Sequence, residues 1–95
     1  MSDEVQSLQS ILQQFLKDRG LDKKLKEYSV PELWMELIGE RAARVCEVRR
    51  FDHGQLVVEV SAPVWKTELL LRREELMKKL NEKLGSEMVR EIIIR

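Results

Sequence analysis

LVVEVSAPVWKTELLLRREELMKKLNEKLG, residues 56–85, changes its hydrophobic period once, and the topology of the chain follows from where it does so. Leu56, Val58 and Val60 alternate with Val57, Glu59 and Ser61, the period of two that marks a half-buried strand. At Ser61-Ala62-Pro63 the period changes. A serine hydroxyl suits a helix cap, and a proline suits the first helical turn, where its missing NH costs nothing. From there Trp65, Leu69, Leu76, Met77, Leu80 and Leu84 share one helical face, and Gly85 stops the helix. A further strand is expected from Met88 to Ile94. The stretch therefore predicts strand, long amphipathic helix, strand.

Upstream, Glu47 to Phe51 forms the first strand, and Asp52-His53-Gly54 turns the chain, with Gly54 able to take positive φ. A three-residue loop pairs Phe51 with Gln55, Arg49 with Val57 and Glu47 with Glu59. That register gathers Cys46, Val48, Leu56, Val58 and Val60 on one apolar face. It turns Arg49, Phe51 and Val57 the other way. In the third strand, Ile92 and Ile94 are expected inward and Val89, Glu91, Ile93 and Arg95 outward. Phe51, Val57 and Ile93 then share an open face rimmed by Arg49, Glu59, Glu91 and Arg95. Arg49, Phe51, Val57 and Ile93 are accordingly candidate partner-binding residues, since apolar groups with a charged rim suit a protein contact. The alternative is that an N-terminal helix folds over this face.

That helix begins at Ser2 or Asp3, carries Val5, Leu8, Leu12, Phe15 and Leu16, and stops at Gly20. A short segment, Leu21 to Tyr28, follows. Ser29-Val-Pro-Glu32 reads as a capping box that starts a new helix with Leu33, Trp34, Leu37, Ile38 and Ala42. Gly39 inside that helix suggests a close neighbour against its backbone. The order is α-α-α-β-β-α-β, an α+β fold with helices on one face of a three-stranded sheet. Residues 1–28 form an N-terminal helical segment and residues 29–95 the main unit. Trp34 and Trp65 resemble base-stacking platforms but lie on apolar helix faces, so both are expected in the core.

Ninety-five residues, 43% hydrophobic and 36% charged, make one globular domain with a modest core. Seventeen basic residues balance 17 acidic ones, so no global field draws the chain to nucleic acid or anionic lipid. Any such binding must come from a local cluster. Lys17, Arg19, Lys23, Lys24 and Lys26 are the one cluster with little acidic compensation, and they are the candidate nucleic-acid residues; a solvated helix surface is the plain alternative. A single cysteine, Cys46, excludes an internal disulfide and suits a reducing compartment. No apolar run is long enough to span a bilayer, and MSDEVQ lacks a signal peptide's basic start. A cytoplasmic protein with no membrane contact is expected.

Chemistry-bearing constellations are missing from the sequence. His53, the only histidine, sits on a turn without Cys/His/carboxylate neighbours at metal-ligand spacing, so no metal is expected. A Cys46–His53 nucleophile–base pair is conceivable, but Cys46 falls on the core face, where an inert thiol is expected. The four glycines form no phosphate-cradling loop, and Glu74-Glu75 point about 100° apart on their helix. Neither catalysis nor a cofactor is expected.

From Pro31 to Arg95 the chain resembles the DciA family, small bacterial proteins associated with the replicative helicase. The resemblance rests on Trp34 with Gly39-Glu40, the strand opening Gly54-Gln-Leu-Val-Val, and Ser61 with Trp65. Glu68-Leu69, Leu80-Asn81, Leu84-Gly85 and the closing Ile92-Ile-Ile-Arg95 complete it. It implies a fold similar to a type II KH domain. It also implies binding to a DnaB-type helicase and help in placing that helicase on single-stranded DNA. Where the family tends to have a His-Thr-like pair before the first strand, this chain has Val45-Cys46, and Val48 stands in place of a proline. The basic, flexible extension of many members does not occur in these residues, so DNA binding is expected to be weak. The KH loop GxxG is missing, so KH-type RNA clamping does not carry over. The competing readings are a KH-like protein acting on structured RNA or ribosome assembly, and a structural domain whose function lies in its partner. Self-association is a further possibility for the open face.

Overall fold

The computed structural model describes residues 8, 10–12, 14, 15, 18 and 20–95. The described residues ahead of Gly20 are helical. After it come α1 (Leu21–Ile38), α2 (Glu40–Ala43), β1 (Cys46–Asp52), β2 (Gln55–Val60), α3 (Pro63–Leu71), α4 (Arg73–Leu84) and β3 (Glu91–Ile94). The strands form one mixed sheet in the order β1-β2-β3, with β1 antiparallel and β3 parallel to the central β2. A parallel neighbour needs a crossover of a dozen residues or more, and α3 and α4 supply it. The fold is α+β, as the hydrophobic periods imply.

One face of the sheet carries Cys46, Leu56, Val58, Val60, Ile92 and Ile94. Against it the helices place Val30, Trp34 and Ile38 from α1, Ala42, Leu69 from α3, and Leu76, Leu80 and Leu84 from α4. Leu76 and Leu80 are fully buried, and burial of each such side chain contributes roughly 1.5–3 kcal/mol. Trp34 is also fully buried, its indole NH donating to Cys46 Sγ at 3.4 Å. Trp65 is half-buried, packed on the rim of the same core.

Three helix boundaries differ from those expected. No capping box forms at Ser29: its hydroxyl donates to the Lys26 carbonyl at 2.7 Å, and α1 runs unbroken across residues 28 and 29 with Pro31 inside it. The proline removes the donor to the carbonyl four residues back, an expensive loss in isolation. Val30 and Trp34, both fully buried, hold that part of α1 against the sheet regardless. Gly39 lies between α1 and α2 and not within a helix, at φ 89° and ψ 165°. An added Cβ there would meet nothing within 4 Å, so the glycine serves the backbone turn and not a close neighbour. The long helix is two helices, broken at Arg72 with φ −100° and ψ 7°. Arg72 and Arg73 fall between buried Leu69 and Leu76, where the apolar stripe would have continued. Leaving the helical path there spares the guanidinium groups from burial.

Ser61 does not cap α3 either. Ala62 holds the cap position without a side-chain bond, and the Ser61 NH and hydroxyl both reach the Val45 carbonyl, at 2.9 and 3.3 Å. Ser61 thus ties the end of β2 to the start of β1. Pro63 takes the first helical position as expected.

The hairpin closes through two residues, His53 and Gly54, at φ 51° and 78°, with Asp52 opposite Gln55. Glu47 lies opposite Glu59 as expected, so the shorter turn leaves one residue over in β1. The sheet absorbs it as a bulge between Val48 and Arg50. Beyond the bulge the expected pairs are wrong: Arg50, not Arg49, opposes Val57, and Phe51 opposes Leu56, not Gln55. Phe51 therefore packs against the helix-covered core.

β3 begins at Glu91 and not at Met88, and Val89 is buried in the core instead of facing outward. The cause is Asn81. Its side-chain amide donates to the Val89 carbonyl and accepts from the Val89 NH, both at 2.9 Å. Its own carbonyl accepts from Gly85 and Ser86, ending α4 at a left-handed Gly85. One residue thus terminates the helix and fixes the connection to β3.

Candidate binding surfaces

The face of the sheet opposite the helical core carries Glu47, Arg50 and Asp52 from β1, Gln55, Val57 and Glu59 from β2, and Glu91 and Ile93 from β3. Its polar groups satisfy one another. Arg49 donates to Glu59 at 2.6 Å and lies 3.3 Å from Glu47. These contacts, the Glu59 bond foremost, raise the guanidinium pKa above its ordinary value. Arg50 pairs with Asp52 and reaches Gln55 at 3.4 Å, and Gln55 donates to Glu91 at 2.9 Å. Val57 in the middle is only 1% exposed, and Ile93 is half-buried. Arg49, Phe51, Val57 and Ile93 are therefore not brought together as one open patch, because the bulge sends Phe51 to the opposite face. Of the expected N-terminal stripe, Leu8, Leu12 and Phe15 fall among the described residues and are exposed, while Val5 and Leu16 lie outside them.

Of the basic cluster, Lys23, Lys24 and Lys26 are exposed on the first turns of α1, while Lys17 and Arg19 lie outside the described residues. Lys23 and Lys26 line a groove of about 600 Å³ between α1, the hairpin tip and the segment leading into β3. Arg90 and His53 line it from the other side, Phe51 and Met88 give it apolar wall, and Glu27 and Glu87 contribute the opposing charge. Gly54 builds this site. Its carbonyl accepts from the NH groups of Arg90 and Glu91, at 2.8 and 3.1 Å. A Cβ on Gly54 would stand 3.2 Å from the Arg90 side chain. Arg90 is thereby set beside the hairpin tip, about 65 residues along the chain from the lysines it faces.

Three cations around an aromatic wall can hold phosphodiester oxygens while a base lies against Phe51. Two acids among them keep the field weak. Sequence reasoning found the lysines but missed Arg90, and it assigned Phe51 to another surface. The usable signal was Gly54 itself, a glycine opening a strand where another backbone approaches.

α3 presents a second surface. Val64 and Leu71, seven residues apart, are 81% and 80% exposed, and Leu70 is exposed beside them. That spacing puts Val64 and Leu71 on one helical face. Periodicity centred on Leu69 had drawn attention only to the inward side.

Cys46 and His53 do not form a catalytic pair, since Cys46 begins the seven-residue β1 and His53 lies in the turn just beyond its far end. That separates them by roughly 20 Å. The thiol is buried and its pKa pushed up by desolvation, partly offset by the bond from Trp34. Among the described residues no group of three or more His, Cys, Asp or Glu is placed to hold a metal ion. No helix among them is long and apolar enough to cross a membrane.

Residues 7–94 match the family model described as "Dna[CI] antecedent, DciA". Three curated relatives, each called a UPF0232 protein, are similar along most of the chain. The Streptomyces avermitilis protein is 30% identical over 86 residues, covering 88% of this chain and 48% of the relative. The Streptomyces coelicolor protein is 32% identical over 88 residues, covering 90% and 46%. The Corynebacterium glutamicum protein is 26% identical over 89 residues, covering 94% and 50%. The chain spans about half the length of these relatives.

Proposed function

The chain belongs to the DciA family, and from that membership we propose that it is a non-catalytic accessory of DNA replication that binds a DnaB-type replicative helicase and assists its placement on single-stranded DNA. Membership accords with a replication role, and the match over residues 7–94 is the observation that carries the reading. Two surfaces support the finer assignment. The exposed Val64–Leu71 face of α3 has the apolar character of a protein contact. The Lys23–Lys26–Arg90 groove has the cations and the aromatic wall that a single strand uses. Division of labour follows: α3 for the helicase, the groove for a transient hold on the strand.

The test is helicase loading on circular single-stranded DNA coated with the host's binding protein. Added chain should raise the fraction of circles carrying helicase, and Val64→Asp with Leu71→Asp should abolish the gain in a folded protein. No gain from the wild-type chain contradicts the loading role.

The groove also favours a second reading, a KH-like protein acting on structured RNA or ribosome assembly. Salt separates the two. Phosphate binding weakens steeply as ionic strength rises, because each neutralised phosphate releases counterions, whereas an apolar contact to a helicase does not.

A further inference from the structure

The sheet has two edges, and they are treated differently. β1 is interrupted by its bulge and carries Glu47, Arg49, Arg50 and Asp52. Bulges and charges are the usual means by which an edge avoids pairing with another chain. β3 has no such break: Glu91 to Ile94 runs in regular register with β2, and three consecutive isoleucines occupy it. The Glu91 NH bonds the Gly54 carbonyl, and the Arg95 NH and carbonyl bond Val58 and Val60. Main-chain groups alternate sides along a strand, so Glu91, Ile93 and Arg95 point toward β2. The NH and carbonyl groups of Ile92 and Ile94 then point away from the sheet. Among the described residues the strand order places no strand beyond them.

Glu91-Ile92-Ile93-Ile94-Arg95 is complementary to itself when reversed: acid, three isoleucines, base. We infer that β3 pairs antiparallel with β3 of a second copy about a two-fold axis at Ile93, joining two three-stranded sheets into one of six strands. In this register Ile92 opposes the partner's Ile94, and the outward main-chain groups of both exchange four hydrogen bonds. Ile93 meets its symmetry mate, and Glu91 meets the partner's Arg95, twice over. Both contacts fall at the non-hydrogen-bonded positions, where opposing side chains approach most closely. The alternatives are poorer. A shift of one residue mismatches the hydrogen-bonding groups, and a shift of two sets a charge against Ile93. The half-buried Ile93 already lies beside buried Val57 on the face opposite the helical core, so the pairing extends that apolar strip across the seam. The contact is isologous and closes on itself. Five residues per copy make a strip roughly 17 Å long, below the size of a standard interface, so the dimer is weak and depends on concentration.

Sedimentation equilibrium from roughly micromolar to millimolar protein reads the dimerisation directly. Glu91→Arg alone and Arg95→Glu alone each set like charges opposite one another twice, and each should weaken the dimer by about tenfold or more. An equimolar mixture of the two variants restores every pair, so it should dimerise at wild-type strength. Circular dichroism checks that each variant folds, and mixing cannot cure a monomer defect. In parallel, amide exchange at Ile92 and Ile94 should slow as concentration rises, while exchange at Glu91, Ile93 and Arg95 should not respond. A wild-type chain that stays monomeric throughout overturns the inference. So does a dimer indifferent to either reversal, or a mixture that fails to recover.

Discussion

Replacing Asn81 by leucine tests how the connection into β3 is held. The side chains are close in volume, so packing is largely kept while both bonds to Val89 are lost. Each bond contributes roughly 0.5–1.5 kcal/mol, and a buried group left unpaired costs roughly 1–3 kcal/mol. The site is only partly buried, so water can reach some of what is freed. The expected loss is therefore about 2 kcal/mol, between the two bonds' net worth and the full penalty. For a domain of this size that corresponds to a fall in Tm of roughly 8–16 °C. Urea unfolding should show a lower midpoint with an unchanged slope, since the native surface is the same. Amide exchange should quicken first at Val89 and Arg90. A loss of less than about 0.5 kcal/mol, inside the normal range of surface substitutions, would show that Asn81 does not hold this segment.

Trp34→Ala should cost about 3–5 kcal/mol and leave little folded protein, because Trp34 is wholly enclosed; Trp65→Ala, on the half-buried rim, should cost less than half as much by urea titration. Gly54→Ala forces a side chain into φ 78° and within 3.2 Å of Arg90, and should cost roughly 1–3 kcal/mol by the same assay. Changing Lys23, Lys26 and Arg90 together to glutamate should abolish low-salt retention on single-stranded DNA in a filter-binding assay while thermal stability stays near wild type. Glu75 supplies a pH signature. The Lys79 bond holds its carboxyl below the usual range, so the unfolded chain binds more protons and stability rises with pH through that window. Glu75→Gln should accordingly erase a small stability increment at neutral pH, and the difference from wild type should vanish as pH falls through the folded pKa.

The parts of the fold legible in the sequence are those where one period is kept and tertiary contact agrees with it. The inward faces of β2 and α4 belong here, with Leu56, Val58, Val60, Leu76, Leu80 and Leu84 buried as expected. The errors sit where a local signal was overridden. Ser29 and Glu32 have capping-box spacing, yet burial of Val30 and Trp34 carries α1 straight through. Ser61 precedes a helix, yet its hydroxyl serves the adjacent strand. The bulge at Arg49 mattered most, because a three-residue and a two-residue turn at Asp52-His53-Gly54 predict opposite faces for Phe51. Alternation in β1 could not separate them, since Arg49 and Arg50 are both exposed and leave no phase to read. The groove was illegible for a different reason: Arg90 reaches the lysines only through the fold, by way of Gly54 and Asn81.

The central claim is that this chain acts by binding a DnaB-type replicative helicase. The most direct measurement is titration of the host's purified helicase with the chain, followed by fluorescence anisotropy at physiological salt without DNA. Saturable binding that survives a rise in ionic strength and is lost with Val64→Asp and Leu71→Asp is the predicted result. Absence of binding at concentrations where the chain retains single-stranded nucleic acid at low salt would contradict it.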